Sequence, residues 1–156
     1  DALPIYIISL GAIKYSILRQ AIGGDIIFDF DKSLSFEGDS GTYLQYSVVR
    51  AKSVLAKVVG SEASLADIPD GWQTTDLERL LERFPSVVEK AGREYAPHYL
   101  VTYLTELAGE FNSFYANGKI ISEEPDSQYK IALTQAFASV MSKGLDLLGI
   151  KVPNKM

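Results

Sequence analysis

The chain has 156 residues, of which 47% are hydrophobic and 22% charged, so it is long and apolar enough for one compact domain and is not disordered by composition. It contains no cysteine, which excludes a disulfide framework, a thiolate metal site and a cysteine nucleophile. A single histidine, His98, leaves little for a zinc site or a histidine-based catalytic set, and the net charge of −5 argues at first sight against a nucleic-acid partner.

The charge is unevenly spread. Residues 41–59 hold Arg50, Lys52 and Lys57 with no acid, and residues 128–156 hold Lys130, Lys143, Lys151 and Lys155 against Asp146, so each stretch carries +3. Between them, residues 62–127 carry thirteen acids against five bases, for −8. Two basic segments on an acidic chain form either a phosphate-facing surface or ordinary solvated helix faces. Charge alone does not separate the two.

In chain order, residues 1–21 read as apolar and helical, broken near Pro4 and ended by Gly23-Gly24. Lys14 and Arg19 interrupt the run, and it falls short of the roughly 20 residues of a membrane span. It has neither the basic start nor the cleavage site of a signal peptide. The first residue is Asp1, which reads as the start of a truncated piece. Residues 26–30 are the best strand candidate, short and β-prone. A helical turn is expected over 31–36, then turn chemistry at Gly38-Asp39-Ser40-Gly41, where a boundary is placed.

From Thr42 the pattern is helical. Leu44, Val48, Ala51, Leu55 and Val58 recur at three- and four-residue steps. Residues 60–75 read as a loop. Thr75 or Asp76 caps the next helix, which carries Leu77, Leu80, Leu81 and Phe84, and Pro85 is expected to open a separate helix running to Tyr95. Pro97 opens a longer one with Leu100, Tyr103, Leu104, Leu107, Phe111 and Phe114 on one face, ended by Asn117-Gly118. Ser122, with Glu123 and Glu124, leads into a last helix bearing Ile131, Leu133, Ala136, Val140, Leu145 and Leu148, stopped by Gly149 and Pro153. The expected fold is mainly α: a helical bundle over 41–156, preceded by a strand-containing tail over 1–40.

Several strings imitate catalytic motifs. Gly38-Asp39-Ser40-Gly41 spells a protease nucleophile turn, but that chemistry needs a histidine base on a β-barrel. Met141-Ser142-Lys143 echoes part of a synthetase signature loop, yet falls inside a helix stripe. Asp25, Asp29 and Asp31 would share a face of a strand, where a solvated edge is the plainer reading than a metal site; no metal ligand set and no catalytic residue is expected. What remains is aromatic and basic. Tyr43, Tyr46 and Arg50 are spaced by three and four residues, on one helical face. Rings beside a guanidinium suit unstacked bases, and they equally suit the rim of a core.

The order of strings resembles the arginyl-tRNA synthetases. Gly11-Ala12-Ile13-Lys14-Tyr15 is similar to that family's G-A-V-K-Y segment, and Phe28-Asp29-Phe30-Asp31, Leu34, Glu37-Gly38-Asp39-Ser40-Gly41 and Tyr43-Leu44-Gln45-Tyr46 follow its next run, with Arg50 and Ser53 as an R-x-x-S pair. Arg83-Phe84-Pro85, Pro97-His98, Tyr103-Leu104, Leu107-Ala108, Phe114-Tyr115 and the 144–150 segment are similar to its anticodon-binding DALR domain. Thr42 and Asn154-Lys155 depart from the pattern, the first with a looser helix start as the expected effect.

The resemblance implies part of a class I ligase that attaches arginine to tRNA using ATP with magnesium, in the cytoplasm. Its HIGH-like and KMSKS-like motifs are not in this stretch, so the piece is expected to be catalytically silent and to need no cofactor itself. The implied anticodon contacts are Tyr43, Tyr46, Arg50, Tyr115 and Met156, splaying a loop whose middle base is cytosine. Lys52, Lys57 and Lys119 are added from charge and position as phosphate contacts. The implied partners are an arginine-accepting tRNA and the other domains of the same enzyme, neither a membrane nor DNA. The tail over 1–40 is then expected to pack poorly by itself. Alternatives are the DALR domain of another synthetase and a helical protein–protein module.

Overall fold

A computed structural model describes residues 2–26, 29–35, 38–58 and 67–156. The described residues form six helices: α1 (Ala2–Leu18), α2 (Phe30–Ser33), α3 (Gly41–Leu55), α4 (Asp76–Arg93), α5 (His98–Ala116) and α6 (Ser127–Leu147). Helix α5 lies centrally, against α4, α6, α3 and α1, and α3 packs in addition on α6 and α1. The expected mainly-α bundle is what forms. Ile27 and Phe28 lie outside the described residues, Phe30 opens α2, and no strand occurs among the described residues. The Asp29 carboxylate accepts from the Lys32 N–H at 3.1 Å, so a capping interaction draws this segment into a helical turn.

The core is the apolar stripe of each long helix brought to one axis. Leu44, Val48 and Ala51 of α3, Leu104, Leu107 and Phe111 of α5, and Phe137, Met141 and Leu145 of α6 are all fully buried. The rings of Phe111 and Phe137 stack with centroids 3.8 Å apart. Gly144 lets α6 approach α5, since a Cβ there would sit 2.6 Å from Leu104 Cδ2. Met141 lies within this packed helix, which disposes of the loop-like reading of Met141-Ser142-Lys143.

Four boundaries differ from expectation. Pro4 does not break α1, because it falls in the first turn, where a missing N–H costs nothing. The helix stops at Leu18, five residues before Gly23. Pro85 does not start a new helix either. It lies inside α4, where Leu77, Leu80, Leu81, Phe84, Val87, Val88 and Ala91 keep one continuous face on the core, and that burial outweighs the lost bond to the Leu81 carbonyl. Finally, α6 begins at Ser127 rather than near Ser122. The Ser127 hydroxyl donates to the Ile120 carbonyl at 3.0 Å and accepts from the Ser122 N–H at 3.0 Å, closing the α5–α6 connection on itself.

The helix ends obey ordinary chemistry. Thr75 and Glu78 form a reciprocal capping box at the start of α4. At the end of α6, the Ile150 N–H bonds the Leu145 carbonyl and the Gly149 N–H that of Asp146, with Gly149 at φ +68°, a Schellman turn. The same two bonds close α4, with Tyr95 at φ +52° in the position glycine usually takes. Ser40, the imitation nucleophile, is fully buried and caps α3, accepting from the Tyr43 N–H at 2.9 Å. Thr42 does not loosen that start: it is buried, with its hydroxyl donating to the Ser33 carbonyl at 3.4 Å.

Helix α1 packs more closely than expected of a tail. Gly11 and Gly41 bring α1 and α3 into backbone contact, since a Cβ on Gly41 would lie 2.6 Å from the Gly11 carbonyl oxygen. Gln45, fully buried on α3, donates to the carbonyls of Ile7 (3.3 Å) and Lys151 (2.7 Å), and Lys14 donates to the Gly149 carbonyl. One face of α1, with Ala12, Tyr15 and Ser16, is thereby sealed. The other leaves Ile5, Tyr6, Ile13 and Ile17 in solvent, with Ile5 68% and Tyr6 63% exposed.

Candidate nucleic-acid interface

The α3 periodicity that buries Leu44, Val48 and Ala51 turns Tyr46 and Arg50 toward the end of α5. There Arg50 is half-buried among three polar and aromatic partners. Its guanidinium carbon lies 4.6 Å from the centroid of the Tyr46 ring and 4.9 Å from that of Tyr115. Its Nη2 donates to the Tyr46 hydroxyl at 2.9 Å and its Nη1 to the Asn112 Oδ1 at 2.6 Å. The Asn112 amide in turn donates to the Ser47 hydroxyl at 2.8 Å, and Ser47 donates to the Tyr43 carbonyl at 2.9 Å. Each cation–ring contact contributes about 0.5–2 kcal/mol, so Arg50 is held in place rather than swinging in solvent.

The support beneath the cluster is aromatic. Tyr115 is 41% exposed, with its ring 6.5 Å from that of Phe111, which is itself stacked on Phe137. The exposed ring therefore stands on the bundle core, and its position is fixed by the packing of α5 on α6. None of the ion pairs among the described residues uses Arg50, so the cluster presents a full positive charge next to two phenol rings. That arrangement can stack a flat, electron-rich base and attract a phosphate. Among the described residues no group of three histidine, acidic or cysteine side chains converges on a possible metal position.

Of the residues singled out from sequence, the structure brings together Tyr46, Arg50 and Tyr115. Tyr43 sits one turn earlier on α3, half-buried, its side chain against the core, closer to the rim role that the spacing left open. Lys52 is turned about 200° around α3 from Arg50 and lines a separate cleft with Leu55, Gln135 and Ser142. Lys57 follows the end of α3, and Lys119 lies in the α5–α6 connection; both are exposed. Met156 ends the chain, 36% exposed. Sequence reasoning missed Asn112 and Ser47. Asn112 stands three residues before Tyr115, on the same α5 face, which was the available signal.

A second network lies at the start of α4. The Glu78 carboxylate accepts from the Tyr129 hydroxyl (2.7 Å), from the Trp72 indole (3.1 Å) and from both the N–H and hydroxyl of Thr75 (2.7 and 2.8 Å). Burial pushes the Glu78 carboxyl up, but the bonds from Thr75, Tyr129 and Trp72 together outweigh it and hold it below the ordinary value. Trp72 also meets the Tyr129 ring edge-on at 5.0 Å. The cluster ties the segment before α4 to α6. It is a structural clasp that shares no residue with the Arg50 cluster.

Residues 44–156 match the DALR anticodon binding domain family. The chain belongs to that family. Its relatives are arginine–tRNA ligases: one from Ligilactobacillus salivarius is 35% identical over 96% of this chain and 27% of its own length, and one from Thermococcus kodakarensis is 36% identical over 96% and 25%. Among solved structures, the Thermus thermophilus arginyl-tRNA synthetase superposes with a TM-score of 0.81 at 34% identity, covering 96% of this chain and 27% of the other. The DALR domain described here, with α1 attached, thus spans about a quarter of the length of the enzymes it matches. The resemblance read from the sequence is borne out, both in family and in the all-helical fold. No helix among the described residues is long and apolar enough to cross a membrane.

Proposed function

We propose that this DALR domain grips the anticodon loop of an arginine-accepting tRNA for an arginine–tRNA ligase working in the cytoplasm. The observation that carries the reading is the cluster of Tyr46, Arg50 and Tyr115, joined across two helices and standing on the core. Aromatic faces beside a cation that enters no ion pair among the described residues suit splayed bases, each worth about 1–3 kcal/mol when stacked. Tyr43 and Met156 flank that grip in this reading, while Lys57 and Lys119 approach the loop's phosphates from outside it; Lys52, turned to a separate cleft, takes no part. We assign the grip to residues 41–156 and read residues 1–40 as the C-terminal tail of the catalytic region.

The arginine and ATP chemistry, with its magnesium, belongs in this reading to the remaining length of such an enzyme, and this chain contributes tRNA positioning without catalysis. The exposed apolar face of α1 supports such a larger body. A helix that is apolar all round is ordinarily covered on both sides, and Ile5, Tyr6, Ile13 and Ile17 supply the surface that another domain would cover.

The test is a binding titration with transcripts of an arginine-accepting tRNA and of a second tRNA lacking cytosine at the middle anticodon position. The arginine acceptor should bind at least about tenfold more tightly, with affinity falling as salt rises. Equal affinity for both tRNAs, or a response flat in salt, would favour a protein-binding module; tighter binding of the second tRNA would favour the DALR domain of another synthetase.

A further inference from the structure

We infer that Asn112 is the positioning residue that aims Arg50 at RNA while leaving its charge free. The inference rests on the anticodon reading and extends it to a residue that neither the resemblance nor the spacing of Tyr43, Tyr46 and Arg50 singled out.

The geometry is directional. Asn112 Oδ1 accepts from Arg50 Nη1 at 2.6 Å, and Asn112 Nδ2 donates to Ser47 Oγ at 2.8 Å. Ser47 Oγ then donates to the Tyr43 carbonyl at 2.9 Å, so the relay runs one way from Arg50 to the α3 backbone. Each atom of the amide has a fixed duty, oxygen toward the guanidinium and nitrogen toward Ser47. Ser47 is fully buried and Asn112 half-buried, so the amide does not exchange these partners for water without loss.

A neutral partner matters here. The usual way to hold an arginine is a carboxylate, which grips more strongly and cancels the charge. At this position an amide supplies the same acceptor oxygen and adds no charge, and the two rings complete the cage. Arg50 is therefore oriented and still cationic, which is what an arginine must be to meet a phosphate or a base carbonyl. Asn112 touches no ligand in this scheme; it works through Arg50.

Three variants of this chain, titrated with an arginine-accepting tRNA transcript over a range of salt, test the role. Arg50→Ala should weaken binding about 10- to 100-fold. Asn112→Asp keeps shape and acceptor but neutralises Arg50, so it should weaken binding about tenfold and flatten the dependence of log affinity on log salt by about 0.7, the value of one lost phosphate contact on a single strand. Its urea midpoint is set by two opposed changes, the attractive pair with Arg50 and the lost Nδ2 bond to Ser47, so the salt slope is the deciding readout. Asn112→Ala frees Arg50 with its charge intact, so affinity should fall several-fold with the salt slope unchanged.

If Arg50→Ala weakens binding while Asn112→Asp and Asn112→Ala bind as the parent does, the role of Asn112 is overturned and the anticodon reading stands. If Arg50→Ala itself binds normally, the anticodon reading fails and the inference fails with it. A merely structural asparagine would lower the urea midpoint in both Asn112 variants without changing the salt slope.

Discussion

At the scale of single residues, the domain separates two kinds of polar cluster that look alike in sequence. Glu78 is a half-buried hub whose partners all donate to it, and Arg50 is a half-buried hub that donates to neutral acceptors. The first stabilises and the second is available. The difference shows in pH dependence. Glu78 titrates below its ordinary value in the fold, so its contribution is present above the unfolded carboxyl value of roughly 4.3 and is lost as pH falls through the folded one. Tyr103, buried with its hydroxyl donating to the Leu80 carbonyl at 2.8 Å, is pushed up to about 12, chiefly by burial. Tyr129 is likewise pushed up to about 12, by burial and by its bond to Glu78. For these acids the fold favours the protonated form, so their contribution is intact below roughly pH 10 and is lost as pH rises from there toward 12. Trp72 is the sole tryptophan and packs on Tyr129, so its emission reads the clasp directly. Urea midpoints followed by that emission should be flat from about pH 6 to 9 and should fall on both sides; a midpoint still rising above pH 10 would contradict the tyrosine account.

At the scale of elements, the close contacts are made by glycines where backbones meet. Gly41 is the clearest. A methyl group there meets the Gly11 carbonyl oxygen at 2.6 Å and the Tyr15 Cβ at 2.9 Å, and neither can move without shifting α1. Gly41→Ala should therefore cost about 1–3 kcal/mol and loosen α1 selectively, which amide exchange would register as lost protection over Ile5–Leu18 with α5 and α6 unchanged. Equal protection in both proteins would show that α1 is held by its apolar face alone. Tyr95 shows the opposite economy. It takes the left-handed position at the end of α4 without a glycine, and the residue is 84% exposed, so the two backbone bonds of the turn outweigh the local strain.

The elements also show what sequence could and could not convey. Helices with one apolar stripe and a cap were legible: the Thr75 and Glu78 capping box, the stripe through Leu104 and Phe111, and Gly149 after α6 all announce themselves within a few residues. Pro85 misled because a proline inside a helix reads as a boundary, whereas the decision rests with the apolar face on either side of it, a tertiary effect. The strand expected at 26–30 relied on β-branched composition, and the short α2 turn was set instead by the Asp29 side chain.

At the scale of the whole molecule, the candidate site is a product of the way α3 and α5 cross. Tyr46 and Arg50 lie on one helix and could be grouped by spacing. Tyr115 is 65 residues beyond Arg50, and its place beside them followed from family resemblance alone until the fold brought them within 4.9 Å. Asn112 and Ser47 stayed hidden because nothing in a lone asparagine or serine signals a relay between helices; their role exists only once α3 and α5 are side by side. Lys52 illustrates the converse, since basic residues two apart on a helix look like a patch in sequence and face different sides in space. The net charge of −5 likewise conceals an uneven distribution. The acidic residues cluster in the middle of the chain, and the Arg50 cage has none paired to it among the described ion pairs.

The central claim is that two rings and one guanidinium, presented on a rigid helical floor, hold unpaired bases of a tRNA. Its most direct measurement is the affinity of this chain for an arginine-accepting tRNA transcript, compared among the parent, Tyr46→Ala and Tyr115→Ala, with circular dichroism confirming the fold. Each substitution should weaken binding by about 1–3 kcal/mol, roughly 5- to 150-fold, with helicity unchanged. Parent-like affinity in both variants, with the bundle intact, would contradict it.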